Sequence, residues 1–266
     1  PIFSKGAEVQ AYTRDVARRF GLLDRIEFGT EVTALAWDEA AAQWNVSMRR
    51  GGRLLDGRFS AVIAAVGQVN RPKIPPIPGL DGFSGPAFHS AQWRHDVPLA
   101  GKRVGVVGTG ASAMQLLRKV AAEARQCTVF QRSPQWVRPV PDYHRQVSVE
   151  TRWLLHHVPG YYQWYRFGLM WRYGDGLLRT LRRDPAWPHP ERAMNRTNDR
   201  HRQQMVDFIM QELDGRPDLV QGALPDYPPY GKRMLLDNDW YRTLRRDNVA
   251  LVTAGIERVT AGGITD

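Results

Sequence analysis

A glycine-rich turn set between a strand pattern and a helix pattern constrains this chain more than any other feature. Arg103-Val104-Gly105-Val106-Val107 is a short apolar run of the kind that forms a buried parallel strand. Gly108-Thr109-Gly110-Ala111-Ser112-Ala113 follows at once, and residues 114–124 space Leu116, Leu117, Val120 and Ala121 at helical intervals. A strand, a tight Gly-x-Gly-x-x-Ala turn and a helix start aim backbone N–H groups and the positive helix end at a pyrophosphate. The pattern predicts an α/β domain that binds a dinucleotide at residues 108–113, with Gln115 one turn further along the helix.

The next strand pattern bears on which dinucleotide. Cys127-Thr128-Val129-Phe130 runs into Gln131-Arg132-Ser133. In such units an acidic residue about 20 positions past the glycines holds a ribose 2′-hydroxyl, whereas an arginine there suits a 2′-phosphate. No acid stands at this strand end, and Arg132 occupies the ribose position. That favours NADP over NAD; the bland reading is an exposed arginine ending a strand.

Elsewhere the patterns alternate between the two structural classes. Ser4 can cap a helix reaching Phe20, with Val9, Tyr12, Val16 and Phe20 on one face and Gly21 closing it. Residues 26–37, 43–49 and 53–59 read as strands of a β-meander, the last two joined at a Gly51-Gly52 turn. Residues 62–66 read as a further buried strand, and residues 71–78, with four prolines, as a stiff linker. Beyond about residue 142 the pattern turns helical and aromatic, with Trp153, Trp164, Trp171 and Trp187 expected to pack a core of their own. Residues 225–230 read as a rigid connector, and residues 247–252 as another parallel strand.

Composition excludes several classes. With 42% hydrophobic and 24% charged residues the chain is an ordinary globular one. Its most apolar helical stretch, residues 161–171, is interrupted by Arg166, so no membrane span is expected. The single cysteine, Cys127, precludes an internal disulfide and leaves no metal constellation; it reads as a small core residue. A cytoplasmic home is the default expectation. The formal charge of +10 raises nucleic acid as a partner. However, Arg179, Arg182, Arg183, Arg192, Arg196, Arg200 and Arg202 are spaced as on solvated helix faces, so part of the charge is assigned to an anionic cofactor instead.

The segment ahead of the glycine turn carries a family resemblance. Phe83-x-Gly85-x-x-x-His89-x-x-x-Trp93, followed closely by GTGASA, resembles the fingerprint of Baeyer–Villiger monooxygenases, flavoproteins of class B. By itself His89, between Phe88 and Trp93, would read as a satisfied structural histidine, and the string is taken as a linker between domains. The run Phe130 to Trp136 resembles the family's 2′-phosphate segment, and Tyr230-Gly231-Lys232-Arg233 its second nicotinamide-side segment. Residues 62–68 resemble the strand that closes its FAD domain. RSPQWVRP, NDRHR and YPPYGKRMLLDN are most similar to the 4-hydroxyacetophenone monooxygenase type.

The resemblance implies two Rossmann-like, doubly wound dinucleotide-binding domains with a helical insertion. Residues 1–90 would be a partial FAD domain with meander and linker, 91–141 and 223–260 the two parts of the NADP domain, 142–222 the insertion, and 261–266 the start of the return to the FAD domain. It implies FAD and NADPH as cofactors, with O2 and a small-molecule ketone as substrates. It assigns Arg132, Ser133 and Lys232 to the 2′-phosphate, and Arg233 to stabilising negative charge on the flavin. Taken alone, Lys232-Arg233 would read as a solvated loop pair. N- or S-oxidation, or a non-catalytic NADP-binding role, are the alternatives; no residue pattern specifies the ketone or an oligomeric state. The family's earlier Gly-x-Gly-x-x-Gly, which holds FAD, has no counterpart before Gly108, so an internal fragment inactive on its own is expected.

Overall fold

The computed structural model describes residues 3–141 and 143–266. Pro1 and Ile2, which open the expected FAD part, and Asp142, the expected first residue of the insertion, lie outside the described residues. The chain divides into two units, Phe3–Pro72 and Lys73–Asp266, and the division falls inside the proline-rich stretch.

The smaller unit opens with helix α1, Gly6–Arg19. Lys5 occupies the N-cap in place of the expected Ser4, because the Glu8 carboxylate reaches back to accept the Lys5 N–H at 2.8 Å. Gly21, at φ +60°, ends the helix as expected: its N–H donates to Arg18 O at 3.1 Å, and that of Leu22 to Ala17 O at 2.8 Å. Strands β1 (Thr30–Asp38), β2 (Gln43–Arg50) and β3 (Arg53–Phe59) form the antiparallel meander. The first strand begins at Thr30, later than expected, because a 3-10 turn at Leu23–Arg25 and Gly29 at φ +65° keep the preceding chain from extending. Gly51 and Gly52 have φ of +56° and +82°, the positive pair that a tight two-residue hairpin needs.

The buried strand expected at residues 62–66 is not formed. Ile63 is 90% exposed and Val66 70% exposed. An apolar run becomes a buried strand only where neighbouring strands supply hydrogen bonds and cover, and among the described residues none pairs with this one.

In the larger unit β4 (Arg103–Val107), helix α2 (Ala111–Glu123) and β5 (Gln126–Phe130) follow in the expected order. A two-residue strand β6 (Val137–Arg138) leads into five helices: α3 (Val149–His157), α4 (Tyr161–Tyr173), α5 (Leu178–Leu181), α6 (Arg196–Glu212) and α7 (Pro217–Ala223). β7 (Leu235–Leu236) returns to pair with β6, and helix α8 (Trp240–Leu244) leads to β8 (Val249–Val252). The main sheet has order β4-β5-β8 with both pairings parallel. A hairpin, β9 (Arg258–Thr260) and β10 (Gly263–Thr265), ends the chain. It is tied to the linker where the Val259 N–H donates to Pro78 O at 2.7 Å. Gly79, at φ +79°, is required there, since a Cβ would collide with the Val259 carbonyl.

The core is built from Leu117, Val120 and Ala121 of α2, Cys127 and Val129 of β5, and Tyr241 and Leu244 of α8. Cys127 is thus the small core residue expected. The tryptophans of the helical stretch do not pack a core of their own. Trp153, Trp164 and Trp171 are each more than half exposed. Helix α4 carries aromatics on all sides (Tyr161, Tyr162, Trp164, Tyr165 and Phe167), so no single packing face can take them. The buried apolar side chains of this stretch include Met205 and Ile209, one turn apart on α6, with Leu213 beyond them and Leu219 and Ala223 on α7. Among the described residues no helix is long and apolar enough to cross a membrane.

Candidate nucleotide-binding site

The site grows from the end of β4. Gly108 takes φ +97°, which turns the chain away from the strand while its N–H stays bonded to Phe130 O at 2.9 Å. Thr109 is buried, and its hydroxyl donates to Ser133 O at 3.3 Å, pinning the turn to the chain leaving β5. Gly110 is the N-cap of α2 and has no side chain to cap it. The first helical bond runs from the Met114 N–H to Gly110 O at 3.0 Å, so the N–H groups of Ala111, Ser112 and Ala113 precede the ladder. A Cβ built on Gly110 would meet nothing within 4 Å. The turn therefore presents free donors and a positive helix end to an open space the size of at least a methyl group, which suits a phosphate. Ala113 is buried against the core, which explains a small residue at the turn's last position. Gln115 instead bonds backward, its amide donating to Ala111 O at 3.1 Å.

The second wall joins two segments about ninety or more residues apart. Gln131 is buried, and its side-chain amide donates to Gly222 O at 2.6 Å. Lys232 Nζ donates to Ser133 Oγ at 2.7 Å and lies 4.4 Å from the centre of the Tyr227 ring. The Tyr227 hydroxyl donates to Pro134 O at 2.9 Å, and the indole N–H of the fully buried Trp136 donates to Tyr227 O at 2.7 Å. Burial, first of all, holds the Tyr227 phenol above its usual range and so in the donating form. The expected pair Ser133 and Lys232 is thus brought together. Arg132 and Arg233 are exposed, and neither makes a hydrogen bond or ion pair among the described residues.

The connector ahead of Lys232 is fixed from below by α6. Asn198, wholly buried, donates through its amide to Pro229 O at 3.1 Å and Thr180 O at 3.3 Å. His201 Nδ1 lies 3.1 Å from the Tyr230 hydroxyl. Burial lowers the affinity of His201 for a proton, and the nearby Arg138 and Arg200 lower it further. Tyr230 itself takes φ +70°, reversing the chain just before Gly231. Trp136, Tyr227, Gln131 and Asn198 were not singled out from sequence. All four lie within the strings that carry the resemblance, Gln131 and Trp136 in the run Phe130 to Trp136, Asn198 in NDRHR and Tyr227 in YPPYGKRMLLDN, but none was given a role there.

The fingerprint residues act through packing. The Phe83 ring lies over Gly85, where a Cβ would come within 2.7 Å of it. His89 Nδ1 accepts the Ala91 N–H at 3.1 Å and caps a 3-10 turn at Ser90–Gln92. Trp93 meets Phe88 edge to face at 5.3 Å and packs on the core of the parallel sheet.

Comparison with known proteins agrees with this architecture. An oxidized steroid monooxygenase bound to NADP superimposes with a TM-score of 0.77 at 29% identity, over 98% of this chain and 54% of that one. An uncharacterized monooxygenase of Sinorhizobium fredii is 42% identical over 258 residues, covering 97% of this chain and 39% of the relative. A Baeyer-Villiger monooxygenase of Streptomyces coelicolor is 35% identical over 257 residues, covering 97% of this chain and 46% of the relative. The chain thus spans less than half the length of these two relatives. Residues 1–152, more than half of the chain, match the flavin-binding monooxygenase-like family. The chain belongs to that family.

Proposed function

We propose that this chain carries the NADPH-binding part of a Baeyer–Villiger monooxygenase. The overall reaction converts a ketone, O2, NADPH and a proton into an ester or lactone, NADP+ and water. NADPH and FAD, when bound, supply the hydride and the activation of oxygen. The observation that carries the proposal is the Lys232–Ser133 bond. It brings the two segments assigned to the 2′-phosphate onto one wall, and Thr109 ties that wall to the glycine turn.

On this reading residues 108–113 receive the pyrophosphate, and Arg132, Ser133 and Lys232 the 2′-phosphate. Residues 91–141 and 223–260 make up the NADP domain, and residues 142–222 are inserted in it. Residues 1–90 and 261–266 belong to an FAD domain, and the protein is cytoplasmic. Arg233 serves the chemistry as a permanent cation, able to stabilise negative charge beside the flavin without losing a proton. No second Gly-x-Gly-x-x-Gly/Ala occurs in the chain, so we assign none of its residues to the FAD pyrophosphate. By itself the chain should bind NADP, remain colourless and show no ketone-dependent NADPH oxidation. A yellow preparation with stoichiometric flavin would contradict that assignment. For the complete enzyme the test is product analysis with an aryl ketone, an amine and a thioether. Ester from the ketone supports the proposal, and N- or S-oxide alone refutes it.

A further inference from the structure

We infer that Tyr227 is a positioning residue for Lys232, and that it thereby sets the preference for a nucleotide bearing a 2′-phosphate. The inference rests on the proposed role of Lys232 and Ser133 at that phosphate. A lysine is a poor anion site unless its long stem is held, because a mobile ammonium must be immobilised when the ligand arrives. Here it is held twice, by Ser133 Oγ at 2.7 Å and by the Tyr227 ring at 4.4 Å.

The choice of a ring matters. A carboxylate would hold Lys232 as firmly but would cancel the charge that a phosphate needs, and Lys232 has no ion pair among the described residues. The negative face of an aromatic ring attracts the ammonium and leaves its net charge intact. With one of its three N–H groups on Ser133, the ammonium keeps donors for an incoming anion. The ring is itself anchored to the same wall. The Tyr227 hydroxyl donates to Pro134 O, the residue after Ser133, and Trp136 holds the Tyr227 carbonyl. Gly231 completes the fit, since a Cβ there would come within 3.2 Å of the ring. Ring, serine hydroxyl and Arg132 therefore keep a common register, because residues 132–136 hold all three.

The test uses 2′,5′-ADP and 5′-AMP as probes, titrated calorimetrically into the wild-type protein and three variants. Lys232→Ala should lower the ratio of the two affinities by about tenfold or more, the loss of one charge-assisted contact. Tyr227→Leu should lower the same ratio by about three- to tenfold, the worth of a partly exposed cation–π contact, and leave 5′-AMP binding unchanged. Tyr227→Phe keeps the ring and should retain most of the selectivity. The inference fails if Tyr227→Leu keeps the wild-type ratio while Lys232→Ala loses it, and the phosphate assignment then survives. It also fails if Tyr227→Leu weakens both probes equally, which would mark a purely structural role. If Lys232→Ala itself leaves the ratio unchanged, the phosphate assignment falls and takes the inference with it.

Discussion

Alanine at Gly110 should weaken nucleotide binding without harming the fold, whereas alanine at Gly108 should lower the stability of the fold. Gly110 has φ −76° and ψ −175°, an extended conformation open to any residue, and a methyl there meets nothing within 4 Å. The folded state therefore suffers no strain, and the stiffer unfolded chain adds roughly 0.4–1 kcal/mol of stability. At about 2–4 °C per kcal/mol for a chain of this size, Tm should hold or rise by up to about 4 °C. The methyl would nevertheless fill the space in front of the first N–H groups of α2. Displacing a phosphate there forfeits charge-assisted bonds worth about 1.5–3 kcal/mol each. Losing even one weakens 2′,5′-ADP binding by at least about tenfold. Gly108 has φ +97°, and a Cβ there also meets nothing within 4 Å, so the cost of alanine is backbone strain alone. That strain is worth about 1–3 kcal/mol, which lowers Tm by roughly 2–12 °C. Differential scanning calorimetry and isothermal titration on the two variants separate the effects. If Gly110→Ala binds 2′,5′-ADP like wild type at unchanged Tm, the turn does not receive the pyrophosphate and the reasoning is refuted.

Arg132 is exposed and unpaired among the described residues, so Arg132→Ala should leave Tm unchanged. It should weaken 2′,5′-ADP about tenfold at physiological salt, at the low end for a charged contact because of screening. Equal losses for 2′,5′-ADP and 5′-AMP in titration would remove Arg132 from the site. Asn198→Ala removes the donor to the Pro229 carbonyl and the acceptor of the Met194 N–H, whereas the Thr180 carbonyl keeps Asn195. At about 1–3 kcal/mol for each buried group left unpaired, a total near 2–6 kcal/mol is expected, and an unchanged denaturant midpoint would contradict it. Burial pushes the Cys127 thiol up from 9.0 to about 11. A raised folded pKa stabilises below the unfolded value, so this contribution is complete below about pH 9 and fades as pH climbs toward about 11. A disulfide reagent at pH 8 should accordingly modify Cys127 only after unfolding; rapid labelling of the native chain would show the site to be open.

What could be read from sequence follows a physical line. The β4–turn–α2–β5 unit was legible because each of its signals is local: an apolar run, two glycines, helical spacing, a second apolar run. The Gly51-Gly52 hairpin was legible for the same reason. Residues 62–66 misled because an apolar run says nothing of whether a neighbour strand is present to bond it. The aromatics of α4 misled because composition predicts burial only when the side chains share one face. Trp136, Tyr227 and Asn198 went unrecognised because their hydrogen-bond partners lie far along the chain, 91 residues between Trp136 and Tyr227 and 31 between Asn198 and Pro229. A buried indole or amide bonded between distant segments has no spacing to recognise. Arg132 was named from its place at the strand end, Ser133 and Lys232 through resemblance. Only the structure shows that Lys232 reaches Ser133, and by what means it is held there.

The anchoring of Lys232 depends on how the proposed site keeps its geometry. A phosphate site assembled from two distant loops would ordinarily be loose, since loops tolerate shifts that displace a contact by an ångström, and such shifts are costly for recognition. Here the loops are not left to themselves. Trp136 and Asn198, both fully buried, clamp the connector at Tyr227 and Pro229, on either side of Pro228. Tyr230 turns the chain at φ +70° while its hydroxyl meets His201 on α6. Lys232 follows two residues later, with little freedom left in the backbone that carries it. Rigid helices and a core tryptophan therefore supply the accuracy that the loops alone lack. The helical stretch, whose aromatics do not account for its own packing, contributes to the proposed nucleotide site through α6.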